Sequence, residues 1–145
     1  MTTLPAVTDV IPHRSPFLFV SAISECDTES ATGHHTFKDE DFFAGHFPEM
    51  PIVPGVILIE GLAQTLAYLA LRQVPEGIVM LTGVDGCKVR ASVKPGDRVT
   101  YQVHVQRAKL RMVIAKGVVK VGDTHILSAT LKGYIAPRSQ EDGSR

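Results

Sequence analysis

The chain has 145 residues, with 15 basic and 15 acidic side chains, 44% hydrophobic residues and no tryptophan. A single domain of this length buries on the order of two thirds of its unfolded surface, so it can build a core without disulfide or metal staples. The balanced charge, the lack of any nucleic-acid-binding motif, and two cysteines (Cys26, Cys87) outside any CxxC pair argue against a nucleic-acid binder or a disulfide framework. They suit a reducing cytoplasm.

The opening MTTLPAVTDV lacks a basic region followed by an apolar run, so no secretory signal is expected; one helical turn can precede Ile11 and Pro12. Residues 17–26 form a first strand candidate, fading into a polar turn at 27–30. A second candidate, 32–37, carries His34 and His35 side by side. Neighbouring strand residues point to opposite faces, so a solvated or hydrogen-bonded pair is favoured over metal ligation, and no metal is expected.

Residues 45–72 organise the chain, reading GHFPEMPIVPGVILIEGLAQTLAYLALR. Pro54 suits the start of a helix, because its fixed φ is helical and its missing N–H has no partner there anyway. Residues 54–71 are apolar on nearly every side, the pattern of a buried helix, and carry one charge, Glu60. The run is shorter than the ~20 residues a bilayer needs and is interrupted by Glu60 and Gln64, so a core helix is expected and no membrane partner. A carboxylate in apolar surroundings needs a partner or a proton, and burial would raise its pKa. Gln64 lies one turn beyond Glu60 on the same face, within reach of its carboxyl. Gly55, without a Cβ, lets a ligand approach the free N–H groups of the first turn, where the helix dipole favours negative charge. Upstream, His46 stands in a Gly-His-Phe-Pro segment that neither helix nor strand favours; it is a side chain able to exchange protons near neutrality.

After a break at 74–77 the rest is strand. Segments 78–84 and 87–93 flank Asp85-Gly86, which suits a bulge or turn, and 94–97 is a second turn. In 98–107, Val99, Tyr101, Val103 and Val105 alternate with Thr100, Gln102, His104 and Gln106, the mark of a half-buried antiparallel strand. Segments 112–121 and 125–135, joined at Gly122-Asp123, complete a meander, and 137–145 reads as a loose tail. One buried helix followed by an antiparallel meander is an α+β pattern, in which a sheet can curl around the helix. No internal repeat or linker divides the chain, so one domain is expected.

Charge is uneven along this domain. Residues 1–60 hold nine acids against Arg14 and Lys38, whereas residues 85–120 hold nine bases against Asp85 and Asp97. Such a basic segment either lines a solvated sheet face or meets an acidic partner.

The GHFPxxPxxPG segment followed by a helix with Glu60 and Gln64 resembles the signature of the 3-hydroxyacyl-[acyl-carrier-protein] dehydratases of the FabZ class, which have the hot-dog fold. The segment IPHRSPFLFV at 11–20, and GVDGCKV with KPGD within 83–97, match the same family at its spacing, so the resemblance covers roughly 10–135. It implies an antiparallel sheet wrapped around one long central helix, and a homodimer whose sheets join edge to edge, with a trimer of dimers as a further option. Each site would pair His46 of one subunit with Glu60 of the other.

The implied chemistry is loss of water from a 3-hydroxyacyl thioester. It requires removal of the proton beside the carbonyl, shelter for negative charge on the carbonyl oxygen, and a proton for the departing hydroxyl. His46 is the candidate base, the N–H of Gly55 the carbonyl donor, and Glu60 the proton source, with no metal or organic cofactor. In an alternative assignment, His46 carries the proton both ways and Glu60 orients the hydroxyl. Phe47, Pro48, Pro51 and Ile52 would shape an acyl tunnel, and His13 and Arg14 would be structural or rim the site. The acyl carrier protein partner is acidic, which makes Lys88, Arg90, Arg107, Lys109 and Arg111 its candidate docking residues. Ser15, Ser21, Val89 and the 108–117 strand depart from the family pattern, so a dehydratase of a specialised polyene, polyketide or modified lipid fits as well as one of primary fatty acid synthesis. A hot-dog acyl thioesterase and a non-catalytic acyl-binding subunit are the rival readings.

Overall fold

The computed structural model describes residues 3–38, 43 and 49–137. His46, Phe47 and Pro48 lie outside the described residues, as does the tail from 138 onward.

The N-terminal turn of helix is α1 (Val7–Val10), followed by strands β1 (Ala22–Cys26) and β2 (Ser30–Thr36), helix α2 (Gly55–Gln73), and strands β3 (Gly77–Val89), β4 (Arg98–Lys109), β5 (Met112–Val121) and β6 (Thr124–Pro137). The six strands make one antiparallel sheet in the order β1-β2-β4-β5-β6-β3. This is the α+β hot-dog arrangement: a sheet curled around a single long helix. The meander β4-β5-β6 follows chain order, but β3 crosses to the far side of the sheet and pairs with the last strand.

Helix α2 has no polar face to turn outward, and eleven of its 19 residues are buried. Length and composition alone would let it cross a bilayer, but the protein interior already covers 61% of its most apolar stretch. Burying one Leu side chain contributes roughly 1.5–3 kcal/mol. Leu58, Leu62, Leu66 and Leu71 from the helix therefore make a large part of the core, against Tyr101, Leu127 and Leu131 from the sheet. In β4, Val99, Tyr101 and Val103 are buried while Gln102 and His104 are exposed, so the alternating sequence faces as its pattern predicts.

Three local expectations change. Residues 17–21 are not strand: Gln64 captures the backbone of this segment, accepting from the Phe19 N–H (2.8 Å) and donating to the Phe17 carbonyl (3.1 Å). Segments 78–84 and 87–93 are not two strands but parts of the single β3, which ends at Val89 and bulges between Asp85 and Lys88. Gly86, at φ 60°, supplies the left-handed residue that bulge needs. The β4–β5 turn uses Leu110 at φ 59°, a conformation costing roughly 1–2 kcal/mol outside glycine, with the side chain 95% exposed. His34 and His35 are hydrogen-bonded, as the alternation argument favoured: His34 to Ser24 (2.8 Å) and His35 to Ser21 (2.6 Å).

Candidate active site

Pro54 caps α2 from outside, and its carbonyl accepts the N–H of Ile57 at 2.9 Å. Gly55 is the first helical residue, so its N–H has no carbonyl behind it to bond. A Cβ built there would meet nothing within 4 Å among the described residues. The helix therefore begins with an open approach to its positive end, fit to receive a polarised oxygen.

Glu60 lies about one and a half turns further on. Gln64, fully buried, donates from Nε2 to Glu60 Oε2 at 3.0 Å while its own Oε1 accepts from Phe19. Each amide atom thus has a fixed duty, which sets the rotamer of Gln64 and orients the Glu60 carboxylate. The side chain of Glu60 keeps 22% of its surface exposed, so the full burial expected from its apolar neighbours in sequence is only partial. It looks into a cavity of about 160 Å³ lined by His13, Ala63, Leu66, Ala67, Val79, Leu81 and Gly133.

His13 shares that cavity wall, with Nε2 3.6 Å from Glu60 Oε2. Its position is set by the neighbouring Arg14, whose guanidinium donates to the carbonyls of Thr8 (2.9 Å), Ile11 (2.9 Å) and His13 (2.7 Å) and so ties the end of α1 into a knot. Burial depresses the His13 pKa below the usual imidazole value; the Glu60 charge opposes this and Arg14 adds to it. Because burial outweighs the charge of Glu60, the ring is neutral at pH 7, and its contact with Glu60 is not an ion pair.

The other sequence candidates are placed less centrally. Ile52 is half-buried and does not border this cavity; its neighbour Val53 donates to Val93 O at 2.8 Å, bringing the chain into α2 beside the end of β3. The basic residues separate into two groups. Lys88 is in register with Ser128 on β6, and Arg90 donates from its N–H to Ile126 O (2.7 Å), both at the end where α2 begins. Lys109 is in register with Met112, and Met112 with Tyr134, at the end where α2 finishes; Arg107 and Arg111 flank Lys109. Six residues along β6 separate Ser128 from Tyr134, about 20 Å at strand spacing. Arg111 is further committed, donating to Ile135 O at 2.9 Å.

The cavity wall itself was not foreseen from the sequence. Its one legible sign is the pair Ala63 and Ala67, small residues one turn apart beside Glu60, facing Gly133, which stands between the long side chains of Lys132 and Tyr134.

The FabA-like domain model matches residues 11–130. The chain is 41% identical over 126 residues to the 3-hydroxyacyl-[acyl-carrier-protein] dehydratase FabZ of Thermotoga petrophila, covering 86% of this chain and 91% of that one. It is 38% identical over 129 residues to the FabZ of Bacillus velezensis, covering 86% and 92%. Among solved structures, the dehydratase heterocomplex ApeI:P of Xenorhabdus doucetiae superposes with a TM-score of 0.81 over 94% of this chain and 95% of that one, at 14% identity. The fluoroacetyl-CoA-specific thioesterase FlK superposes with a TM-score of 0.66 over 77% and 88%, at 15% identity. At such identities these two likenesses speak for the fold alone.

Proposed function

The chain belongs to the FabA-like family, among FabZ-type 3-hydroxyacyl-[acyl-carrier-protein] dehydratases, and we propose that it removes water from a 3-hydroxyacyl thioester on acyl carrier protein to give the trans-2-enoyl thioester in fatty acid biosynthesis. The observation that carries this reading is Glu60: a carboxyl group held by Gln64, beside His13, at the wall of a cavity lined elsewhere by apolar residues, on a helix whose open N-terminus lies a turn and a half away. A polar reacting centre and an apolar tail have matching surroundings there.

In this reading His46 takes the C2 proton, the N–H of Gly55 bonds the thioester carbonyl as charge builds on it, and the C3–O bond breaks as Glu60, entering the cycle in its protonated form, gives the departing oxygen that proton. The C2–H electron pair becomes the new double bond. These steps balance without a metal or organic cofactor. The partner subunit supplies the His46 facing each Glu60, through a homodimer. That assembly is supported by the outer edge of β3, which pairs with no other strand among the described residues and exposes Met80, Leu81 and Val89. A trimer of such dimers is compatible with it. The two unpaired cysteines suit the cytoplasm.

The acidic carrier would dock at the end where α2 begins, because its thioester carbonyl must reach Gly55. This favours the exposed Lys88 and Arg90 over Arg107, Lys109 and Arg111. Charge reversal at Arg90 should raise KM for carrier-bound substrate, but not for a pantetheine thioester; an equal rise for both would remove Arg90 from the docking surface. The function itself is tested by incubating the protein with 3-hydroxyacyl and acyl thioesters. An enoyl product supports dehydration, whereas free thiol would replace it with the thioesterase reading. In a folded dimer, His46→Ala should lower dehydration at least ~100-fold.

A further inference from the structure

The cavity wall carries a second polar group that the reaction as written does not use. His13 Nε2 and Glu60 Oε2 stand 3.6 Å apart and border the same space. That separation is too long for a hydrogen bond between them. It suits two groups addressing a third atom: an oxygen in the cavity about 2.8 Å from each would close the triangle.

The ring's other nitrogen fixes what Nε2 can offer. His13 Nδ1 is buried and makes no hydrogen bond among the described residues. A buried N–H left unpaired costs more than a buried bare ring nitrogen, so the single proton of the neutral ring resides on Nε2. Nε2–H therefore points a donor toward the cavity and Glu60. A histidine kept only for packing has no use for such an arrangement, since it would seek a partner for its buried nitrogen. Arg14 holds the His13 carbonyl at 2.7 Å and so stiffens the backbone from which the ring is presented.

We propose that His13 is a further catalytic residue, whose Nε2–H binds the 3-hydroxyl oxygen jointly with Glu60 and stabilises it as it leaves. The inference rests on the dehydratase reading above. As the C3–O bond breaks, the electron pair stays on oxygen, the Glu60 proton joins it to complete water, and His13 keeps its own proton throughout. Its role is to donate one hydrogen bond that strengthens as negative charge develops on the oxygen, the kind of contact that accelerates the chemical step more than it tightens ground-state binding.

The test compares His13→Leu with His13→Gln on a 3-hydroxybutanoyl pantetheine thioester, with kcat, KM and thermal midpoint measured for each. Leucine fills the space without a donor, and is expected to lower kcat about 100-fold with KM changed less than about threefold. Glutamine carries an amide N–H to nearly the position of Nε2, and is expected to recover kcat to within about tenfold of the wild type, at a similar thermal midpoint. The pH profile of His13→Gln should keep both limbs of the wild type, because His13 transfers no proton. Should His13→Leu not fold, His13→Asn replaces it, since its amide stops a bond short of the cavity and should show the leucine loss. Equal kcat in the donor-bearing and donor-lacking variants overturns the proposal, as does loss of a pH limb in His13→Gln. A wild-type protein that forms no enoyl thioester ends the dehydratase reading and this inference with it; an active wild type with unaffected variants ends this inference alone.

Discussion

Helix α2 meets the curled sheet on two flanks, and glycine does opposite things on them. Toward β2, β4 and β5 the contact is closed: a Cβ on Gly61 would lie 2.2 Å from Tyr101 Cζ, one on Gly33 2.9 Å from Thr65 Oγ1, and one on Gly117 2.9 Å from Leu62 Cδ1. Toward β3 and β6 the contact is unfinished. Ala63, Leu66 and Ala67 face Val79, Leu81 and Gly133 across about 160 Å³, and a Cβ on Gly133 would meet nothing nearer than 3.4 Å. On the first flank glycine admits the helix; on the second it leaves room. Polar groups divide the same way. Thr65 satisfies its hydroxyl within the helix, on the Gly61 carbonyl at 2.9 Å, while Glu60 and His13 on the open flank keep capacity for a third party. The closed flank holds the fold, and the open flank is where chemistry has space.

The largest effect that this division predicts is on the open flank alone. Glu60→Gln keeps the shape and the contact with Gln64 while removing the titrating proton. Dehydration should fall about 10³-fold, some 4 kcal/mol on the barrier, while the thermal midpoint stays level or rises. A melting temperature lowered by ten degrees with turnover intact would make Glu60 a structural residue and erase the distinction.

How far this division was legible in the sequence depends on what each residue signals. The helix was plain because an all-round apolar run of 18 residues with one charge can hide its surface only by being buried on every side, and β4 because strict alternation encodes one buried face. The Glu60–Gln64 contact followed from helical spacing. Segment 17–21 was misread because its apolar side chains mimic a strand, whereas its backbone bonds are taken by a side chain 45 residues away. The placement of β3 beside β6, and hence the cavity between β3 and α2, depends on which strands meet, and local pattern does not carry that information. His13 lay inside a recognisable motif, but its role as a cavity wall emerges only once α1 is folded against α2.

Gln64 ties Glu60 on the open flank to the 17–19 segment, and its replacement should be the next largest effect. Gln64→Leu leaves the buried Phe19 N–H without its acceptor and the Phe17 carbonyl without its donor, at a cost of about 3 kcal/mol. It also frees Glu60 from its guide, so stability and kcat should fall together, read by denaturant unfolding and by turnover on the surviving folded fraction. A kcat undiminished in the folded protein would show that Glu60 needs no orientation from Gln64.

The closed flank is broken most directly at Gly61. Gly61→Ala forces a methyl against the buried Tyr101 ring, an overpacking cost of up to ~3 kcal/mol, eased by ~1 kcal/mol of helix propensity. A net loss of about 2 kcal/mol is expected in chemical denaturation, with KM and kcat of the folded enzyme within about threefold. Selective damage to activity at full stability would mean that the two flanks are mechanically one.

The smallest expected change in stability, and the sharpest test of the open flank, is Gly133→Ala. The added methyl lies 3.4 Å from Val113 Cγ1 and from Val79 Cγ1, an ordinary contact, so the fold should accept it within about 1 kcal/mol. The methyl is added to a residue that lines the cavity into which Glu60 looks. A four-carbon 3-hydroxyacyl chain has little tail to place there, whereas an eight- or ten-carbon chain must thread it. One methyl in a fitted apolar pocket is worth about 1–3 kcal/mol of discrimination. The ratio of kcat/KM between short and long 3-hydroxyacyl pantetheine thioesters should therefore shift about tenfold toward the short chain, with the short-chain value itself nearly unchanged. A uniform loss across chain lengths would place the acyl tail elsewhere and leave the space beside Gly133 as a packing defect, and Gly133→Ala would then be a simple stabilising substitution.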